Sequence, residues 1–593
     1  MLTEPDDSPA SASLLPFELL AKVFFEVRNA AQEKVEKEEA PGAARRKSYL
    51  RWVAVTHVCR AWQEIALNCP YLWSTIFVDN DSPVWIKEQL LRSNDMPLVI
   101  VADLNDLHSD LTAQMVTTDA EELVLKEIHR IRELRLVADR AKLEHLLCSP
   151  APILTKLVLT FKISPAAYNH DAPRLMGDSD LPNSLFAGQI PSLSHLTISG
   201  VDYFRWDNPL FRSLTHFEIS HHGVHGESTG MIAAMESMPL LEALTLKLPL
   251  LRIHPSLMVP DHTIDFPRLR HIHLQGTPTF CQVILDHLVF PEDTPIVLSV
   301  IANTTRLPAF VHALKLKSGI PSFLSVLSID QPARSKKSSY NREVFRLQGW
   351  YGIQAGSIPW CENDLPPRIE LQMVVSFGED AHLQFINAFL REFASADLHT
   401  LRLSGAFVQP IRHWEQWFKC FPNVSTLHAV DLECTTPRST IAQVLGPVGK
   451  GDEVDFLLPK LRSLGIGGFD LSRSMCQMAL SYHADAFAKL LGTLRRRREC
   501  GMPIKELDLK ECSYVGIWAV RRIAKVVPEI VIGEYLYNDD EGDASKAEHS
   551  NDEEVSEDQR DEGEEVDNSD DDEDEGEEVG EHEHDDDDSE VAG

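Results

Sequence analysis

Three stretches of one pattern decide the fold: Leu193-Ser194-His195-Leu196-Thr197-Ile198, Leu214-Thr215-His216-Phe217-Glu218-Ile219 and Leu241-Glu242-Ala243-Leu244-Thr245-Leu246. Each reads L-x-x-L-x-L, with another large apolar residue tolerated at any of the three sites. Successive side chains of a strand point to opposite faces, so the last three positions set two apolar groups on one side and a polar one on the other. The spacing recurs at Leu154, Leu269, Leu398 and Leu461, and in weaker form at Ile131, Leu324 and Ile504, which makes ten copies. From Leu134 to Ile272 the central apolar positions lie 23, 39, 21, 27 and 28 residues apart. One such unit cannot bury its apolar face alone, but stacked units build a continuous core under a curved parallel sheet. The expected fold class is α/β, with an irregular solenoid over residues 130–537.

These units resemble leucine-rich repeats but depart from the full form, which carries Asn or Cys at the ninth position. Here that position holds Val201, His222, Pro249, Thr277 and Ala406, and only Cys512 fits, so irregular convex turns are expected. Between 330 and 397 the phase is lost, although Arg368 to Val375 still reads as a strand.

The N-terminal region has a different period. Leu15, Leu19, Leu20, Val23, Phe24 and Val27 fall on one helical face, with Pro16 suited to the first turn. Residues 29–48 are polar and charged and read as an inserted loop or a solvated helical extension. From Trp52 the apolar residues Val55, Val58, Cys59, Trp62, Ile65 and Ala66 recur at three- and four-residue intervals, and Pro70-Tyr71-Leu72-Trp73 closes the block. A second helix and a packed turn are expected.

The opening Leu15-Pro16-x-Glu18-Leu19-Leu20, followed by Val58-Cys59-Arg60-x-Trp62 and Pro70-x-Leu72-Trp73 within 60 residues, resembles the F-box family, particularly F-box proteins of mushroom-forming fungi with leucine-rich-like regions. The resemblance implies a three-helix module over 14–78 that binds Skp1, and through it a cullin, in an SCF-type ubiquitin ligase. It assigns the Skp1 contact to Leu15, Pro16, Leu19, Val23, Val55, Val58, Cys59 and Trp62. The 29–48 insertion is longer and more charged than the family's usual connection.

The charge of -35 is concentrated at one end of the chain. Residues 538–593 hold 30 Asp and Glu against Lys546 and Arg560, which leaves about -7 for everything before them. That tail, like residues 1–13, has too little to bury and is expected to be disordered. Residues 79–129 read as a connecting region. Ten scattered cysteines without a C-x-x-C pair suggest reduced thiols in a cytoplasmic or nuclear protein. The N-terminus does not read as a secretory signal, and no apolar run of membrane-spanning length occurs.

No phosphate loop, nucleophile elbow, H-E-x-x-H pair or dinucleotide glycine motif is present, so the chain is expected to be non-catalytic and without a cofactor or bound metal. The expected function is substrate recruitment to a ubiquitin ligase, with the repeat region holding an unknown protein target. The alternative is a protein-binding scaffold with a vestigial F-box. Neither nucleic acid nor membrane is an expected partner.

Target contacts are expected at the polar positions between the repeat leucines: His195, Thr197, His216, Glu218, His271, His273, Thr400 and Arg402, with His428 in the same kind of position. The cluster His221, His222 and His225 reads as a surface loop in preference to a metal site. Arg495 to Arg498, after the apolar periodicity of 478–491, reads as a basic helix C-terminus. A nuclear-import or nucleic-acid patch is the alternative there.

Overall fold

The computed structural model describes residues 15–37, 50–78, 83–103, 122–138, 143, 147–161, 185–201, 206–221, 228, 230–249, 251, 253–258, 260, 262–301, 307–316, 324–331, 342–353, 365–376, 381–393, 397–405, 411–430, 444–448, 455–468, 470–472, 482–512, 514–533 and 536–537. The two segments expected to be disordered and most of the charged insertion lie outside these residues.

Among the described residues, seventeen strands join in one sheet. They are β1 (Thr75–Val78), β2 (Leu98–Asp103), β3 (Ile131–Val137), β4 (Lys156–Thr160), β5 (His195–Val201), β6 (His216–His221), β7 (Ala243–Lys247), β8 (His271–Gly276) and β9 (Ile296–Ile301). There follow β10 (Val326–Gln331), β11 (Arg342–Trp350), β12 (Ile369–Ser376), β13 (Thr400–Gly405), β14 (Thr426–Val430), β15 (Ser463–Gly467), β16 (Glu506–Glu511) and β17 (Glu529–Val531). All ten copies of the pattern coincide with strands. β14 is built on the variant Val424-x-x-Leu427-x-Ala429, which the L-x-x-L-x-L search does not find.

From β1 to β9 each strand pairs in parallel with the next in sequence. The pairing is in phase with the repeat. Leu134, Leu157, Leu196, Phe217, Leu244 and Ile272 stand side by side in one buried row, and Leu136, Leu159, Ile198, Ile219, Leu246 and Leu274 in the next. A one-residue slip would turn both rows to the wet face, and this fixes the register.

The turns before the strands add a second ladder. The Thr155 carbonyl accepts from the amides of Ser194 and His195, the Ser194 carbonyl from Thr215 and His216, the Thr215 carbonyl from Glu242 and Ala243, and the Glu242 carbonyl from Arg270 and His271. Side chains reinforce it: Thr155, Ser194 and Thr215 hydroxyls donate to the carbonyls of Arg132, Thr155 and Ser194 at 3.1, 3.2 and 3.1 Å. Backbone and hydroxyl groups thus align the repeats where the ninth-position polar residue is missing. At the other end of β5, Gly200 has φ +76°, and a Cβ there would lie 2.0 Å from the Phe161 carbonyl oxygen.

The loss of phase after 330 has a topological cause. β9 pairs not with β10 but with β12; β11 runs antiparallel between β12 and β10; and β10 then pairs in parallel with β13. The chain skips two places, returns through one reversed strand, and resumes the parallel order to β17. The expected all-parallel sheet is therefore corrected at β11.

Helices pack against the apolar face. They include α4 (Met231–Glu236), α5 (Pro278–His287), α6 (Leu307–Leu316), α7 (Ala381–Phe393), α8 (Ile411–Lys419), α9 (Tyr482–Glu499) and α10 (Ile517–Ile523). At α5 the Thr277 hydroxyl accepts from the Phe280 amide at 3.2 Å and Pro278 takes the first turn, a sequence-encoded start.

The N-terminal block consists of α1 (Phe17–Lys37), a 3-10 segment over Leu50–His57, α2 (Arg60–Leu67) and a 3-10 turn over Pro70–Trp73. α1 continues into the charged stretch as far as Lys37, and the second expected helix is split in two. Leu20, Phe24, Trp52, Val55, Ile65, Ala66, Leu72 and Trp73 form a small core of their own with Phe77 of β1. The neighbours of Phe77, Ile76 and Val78, belong to the large core beneath the sheet. The sheet begins at Thr75, well before residue 130, and the supposed connecting region contributes β2 and α3 (Pro83–Ser93). Arg130 ties α3 down, donating to the Ser93 hydroxyl and the Met96 carbonyl, both at 3.1 Å. Among the described residues, no helix is long and apolar enough to cross a membrane.

Candidate partner-binding surfaces

The apolar stripe of α1 is two adjoining rows with opposite fates. Leu20, Phe24 and the aliphatic part of Arg28 turn inward; Arg28 reaches the Ser74 hydroxyl at 3.5 Å and its guanidinium lies over the Phe25 and Tyr71 rings. Leu19, Val23 and Val27 form the second row, one helical turn apart, and they face out. With Leu15, Phe17 and Val58 they are between 43% and 60% exposed. Pro16 and Cys59 are exposed beside them. On α1 this apolar row stays exposed while the adjoining row is buried, which makes it a candidate for a partner contact.

Of the eight residues that the F-box resemblance singles out, Leu15, Pro16, Leu19, Val23, Val58 and Cys59 are therefore at the surface. Val55 is buried in the small core, and Trp62 is half-buried with its ring 5.0 Å from that of Phe24, so these two support the surface from beneath. Phe17 and Val27 were missed as surface residues; the four-residue step from Leu19 through Val23 leads directly to Val27.

The second surface is the polar side of the sheet. At β1 and β2 the N-terminal block packs on Phe77 and Val101 of this side, and Thr75 and Val99, which lie on the same side, are also buried. From β3 onward it carries Glu133, Arg135, Lys156, Thr197, Glu218, Lys247 and the histidines, all half-buried. His195, Thr197, His216, Glu218, His271 and His273 lie together on β5, β6 and β8. Lys247 pairs with Glu218 at 2.7 Å.

His195 and His216 stack face to face, with centroids 4.0 Å apart and planes 13° from parallel. Each ring is held by its Nδ1, 2.9 Å from the hydroxyl of the preceding residue, Ser194 or Thr215. Those hydroxyls give their protons to the turn carbonyls, which leaves them to accept from Nδ1–H. Burial, then the neighbouring His216 and Lys156, push the His195 pKa below the ordinary histidine value, while Glu133 and Glu242 pull it back. Burial also lowers His271, and burial, Lys247 and His271 lower His273.

Two expected target contacts need correction. Thr400 is 0% exposed and His428 is 5% exposed. On β13 and β14 the polar side is closed at Thr400, Thr426 and His428. His428 lies on Gly465, where a Cβ would come within 2.3 Å of the imidazole, and Arg402, half-buried, reaches Glu511 at 3.8 Å. The glycines of Ser463-Leu464-Gly465-Ile466-Gly467 give the sequence signal for this close approach. Of the His221, His222 and His225 cluster, the last two lie outside the described residues and the His221 side chain is not described. Among the described residues, no group of three potential metal ligands occurs.

The run Arg495 to Arg498 divides. α9 ends at Glu499 as expected, but Arg497 is 1% exposed, donating to the carbonyls of Leu445 and Leu458 at 3.2 and 2.6 Å, and lies over the Phe456 ring. Arg498 donates to the Lys525 carbonyl at 2.7 Å. A structural role for Arg497 leaves no continuous four-arginine patch.

No protein-family model matches the chain, and no curated protein matches it. Among solved structures, one titled "Crystal structure of TLR13-ssRNA13 complex" aligns with 65% of this chain and 40% of its own, at 13% identity and a TM-score of 0.24. The chain thus spans about 40% of the length of that protein. The fold class rests on the strand pairing alone: α/β, with a long and mostly parallel repeat sheet.

Proposed function

We propose that the chain is a non-catalytic adaptor with two surfaces. The exposed apolar stripe of α1, together with Val58 and Cys59, docks on Skp1 in an SCF-type ubiquitin ligase, and the polar side of the sheet holds a protein target. The observation that carries the reading is the outward row Leu19, Val23 and Val27 on a helix whose opposite row already fills a core. The F-box-like residues supply the identity of the partner. Each half-exposed side chain of this size gains roughly 1 kcal/mol on complete burial, so five or six of them would contribute about 5–6 kcal/mol to such a contact, before the cost of association.

The test uses the full chain and purified Skp1, with complex formation followed by size-exclusion chromatography and calorimetry. Leu19→Asp and Val58→Asp, both at exposed positions, should abolish binding while leaving the urea midpoint unchanged. A folded wild-type chain that ignores Skp1 would refute the assignment and favour a scaffold that does not direct ubiquitination.

A further inference from the structure

The polar row that contains the stacked histidines has one gap. Across the parallel register His195 stands opposite His216, His216 opposite Ala243, and Ala243 opposite His271. Three of these four positions carry imidazoles and the fourth a methyl group. Because His195 covers one face of the His216 ring, the other face is turned toward β7, over Ala243. Neighbouring strands lie roughly 4.8 Å apart, so His216 and His271 are separated by about 9.6 Å at the backbone. That spacing admits one planar group at the separation already seen between His195 and His216. Thr245, the next residue of β7 on the same side, continues the floor.

We infer that this slot takes the guanidinium of an arginine side chain from a basic segment of the bound target. A guanidinium is flat, stacks on aromatic faces and offers donors along its edge. Burial lowers the pKa of His271, one wall of the slot, which favours its uncharged form beside a cation. The carboxylate of Glu242, the residue before Ala243, puts negative charge beside the slot, while Glu133 and Lys156 lie beyond His195 on the far side. The chain is acidic as a whole, with about -28 of its charge of -35 in residues 538–593, which favours basic partners in general. An uncharged aromatic ring would fill the same space but would make no use of the Glu242 carboxylate. The inference rests on the polar side being the target-holding surface and is independent of the Skp1 contact.

The test is a titration of the full chain, labelled with 13C at histidine Cε1, with N-acetyl-arginine amide, N-acetyl-lysine amide and N-acetyl-tyrosine amide. The arginine compound should give saturable shifts at His216 and His271, and the lysine compound none. Because the readout is local, arginine attracted elsewhere by acidic residues does not register. Ala243→His fills the slot by continuing the stack that His195 and His216 already form, and should weaken arginine binding about tenfold. His271→Ala, which removes one wall, should weaken it likewise and serves if the first variant does not fold. Shifts that persist in both variants, that lysine reproduces, that never saturate, or that tyrosine gives more strongly would overturn the assignment. Since Skp1 is absent from the experiment, failure here and failure of the adaptor reading are separate results.

Discussion

Acid should loosen the sheet at β14, and His428 sets the scale. Its imidazole is packed on Gly465 and its pKa is lowered from 6.5 to about 4, chiefly by burial, with Asp508 opposing and Arg402 and Lys510 assisting. Above pH 6.5 the ring is neutral in both folded and unfolded chains and contributes no pH dependence. Between 6.5 and 4 the unfolded chain takes up a proton that the folded chain refuses, so stability falls as the pH falls through this window. At about 1.4 kcal/mol per pH unit, the full loss is about 3 kcal/mol. His428→Gln removes the titration and keeps a neutral polar group. Urea unfolding followed by tryptophan fluorescence, at intervals from pH 7.5 to 4, should show wild type losing about 3 kcal/mol more than the variant. Parallel losses in the two proteins would show that His428 titrates normally and would refute the packing argument.

Removing Arg497 should be far costlier than removing Arg496: Arg497→Met leaves the Leu445 and Leu458 carbonyls without their charged donor, roughly 2–4 kcal/mol, whereas Arg496→Met should stay within about 0.5 kcal/mol in urea unfolding. Gly200→Ala should destabilise by more than about 2 kcal/mol, since it adds strain at φ +76° to a collision with the Phe161 carbonyl; a Tm shift of under 2 °C would contradict this. Cys281 is fully buried, with its thiol pushed up to about 12, and should resist iodoacetamide at pH 8 while exposed Cys59 and Cys500 react, as read by mass spectrometry.

The strands were legible because each one repeats a local pattern whose period matches a strand buried on one side. Where that condition fails, the pattern is silent. Thr75 to Val78 is buried on both sides, by the small core and the large one, so it shows no alternation and its strand goes unread. The reversal of β11 is a choice among partners that only the folded sheet makes, and no local period encodes it. In α1 the helical period finds the apolar residues but not the division between Leu20, Phe24 and the outward Leu19, Val23, Val27, because both rows are equally apolar. Thr400 and His428 obey the alternation rule and still leave the solvent; for His428 the cause is Gly465 in the adjacent β15, which leaves room for the imidazole to lie over it. The slot over Ala243 became visible only when the register placed an alanine between histidines that are far apart in sequence.

The two proposed surfaces are held together by a shared strand. Phe77 belongs to the core of the N-terminal block while Ile76 and Val78 belong to the core of the sheet, so no free linker separates the docking stripe from the repeats. The block also sits on the same side of the sheet as the histidine row, over Phe77 and Val101, five strands before β7 and so roughly 24 Å from the slot along the sheet. An adaptor contributes no nucleophile and acts only by fixing the distance between what it holds and the machinery it docks on. For that task a shared strand is worth more than a flexible tether, because lost orientational freedom is settled during folding and not at each encounter. Weakening the joint should therefore separate binding from function: Phe77→Ala should cost about 3–5 kcal/mol of stability in the small core. If the adaptor reading holds, target ubiquitination should fall more than the affinity for either partner. Equal losses in all three would mean that the joint only supports folding.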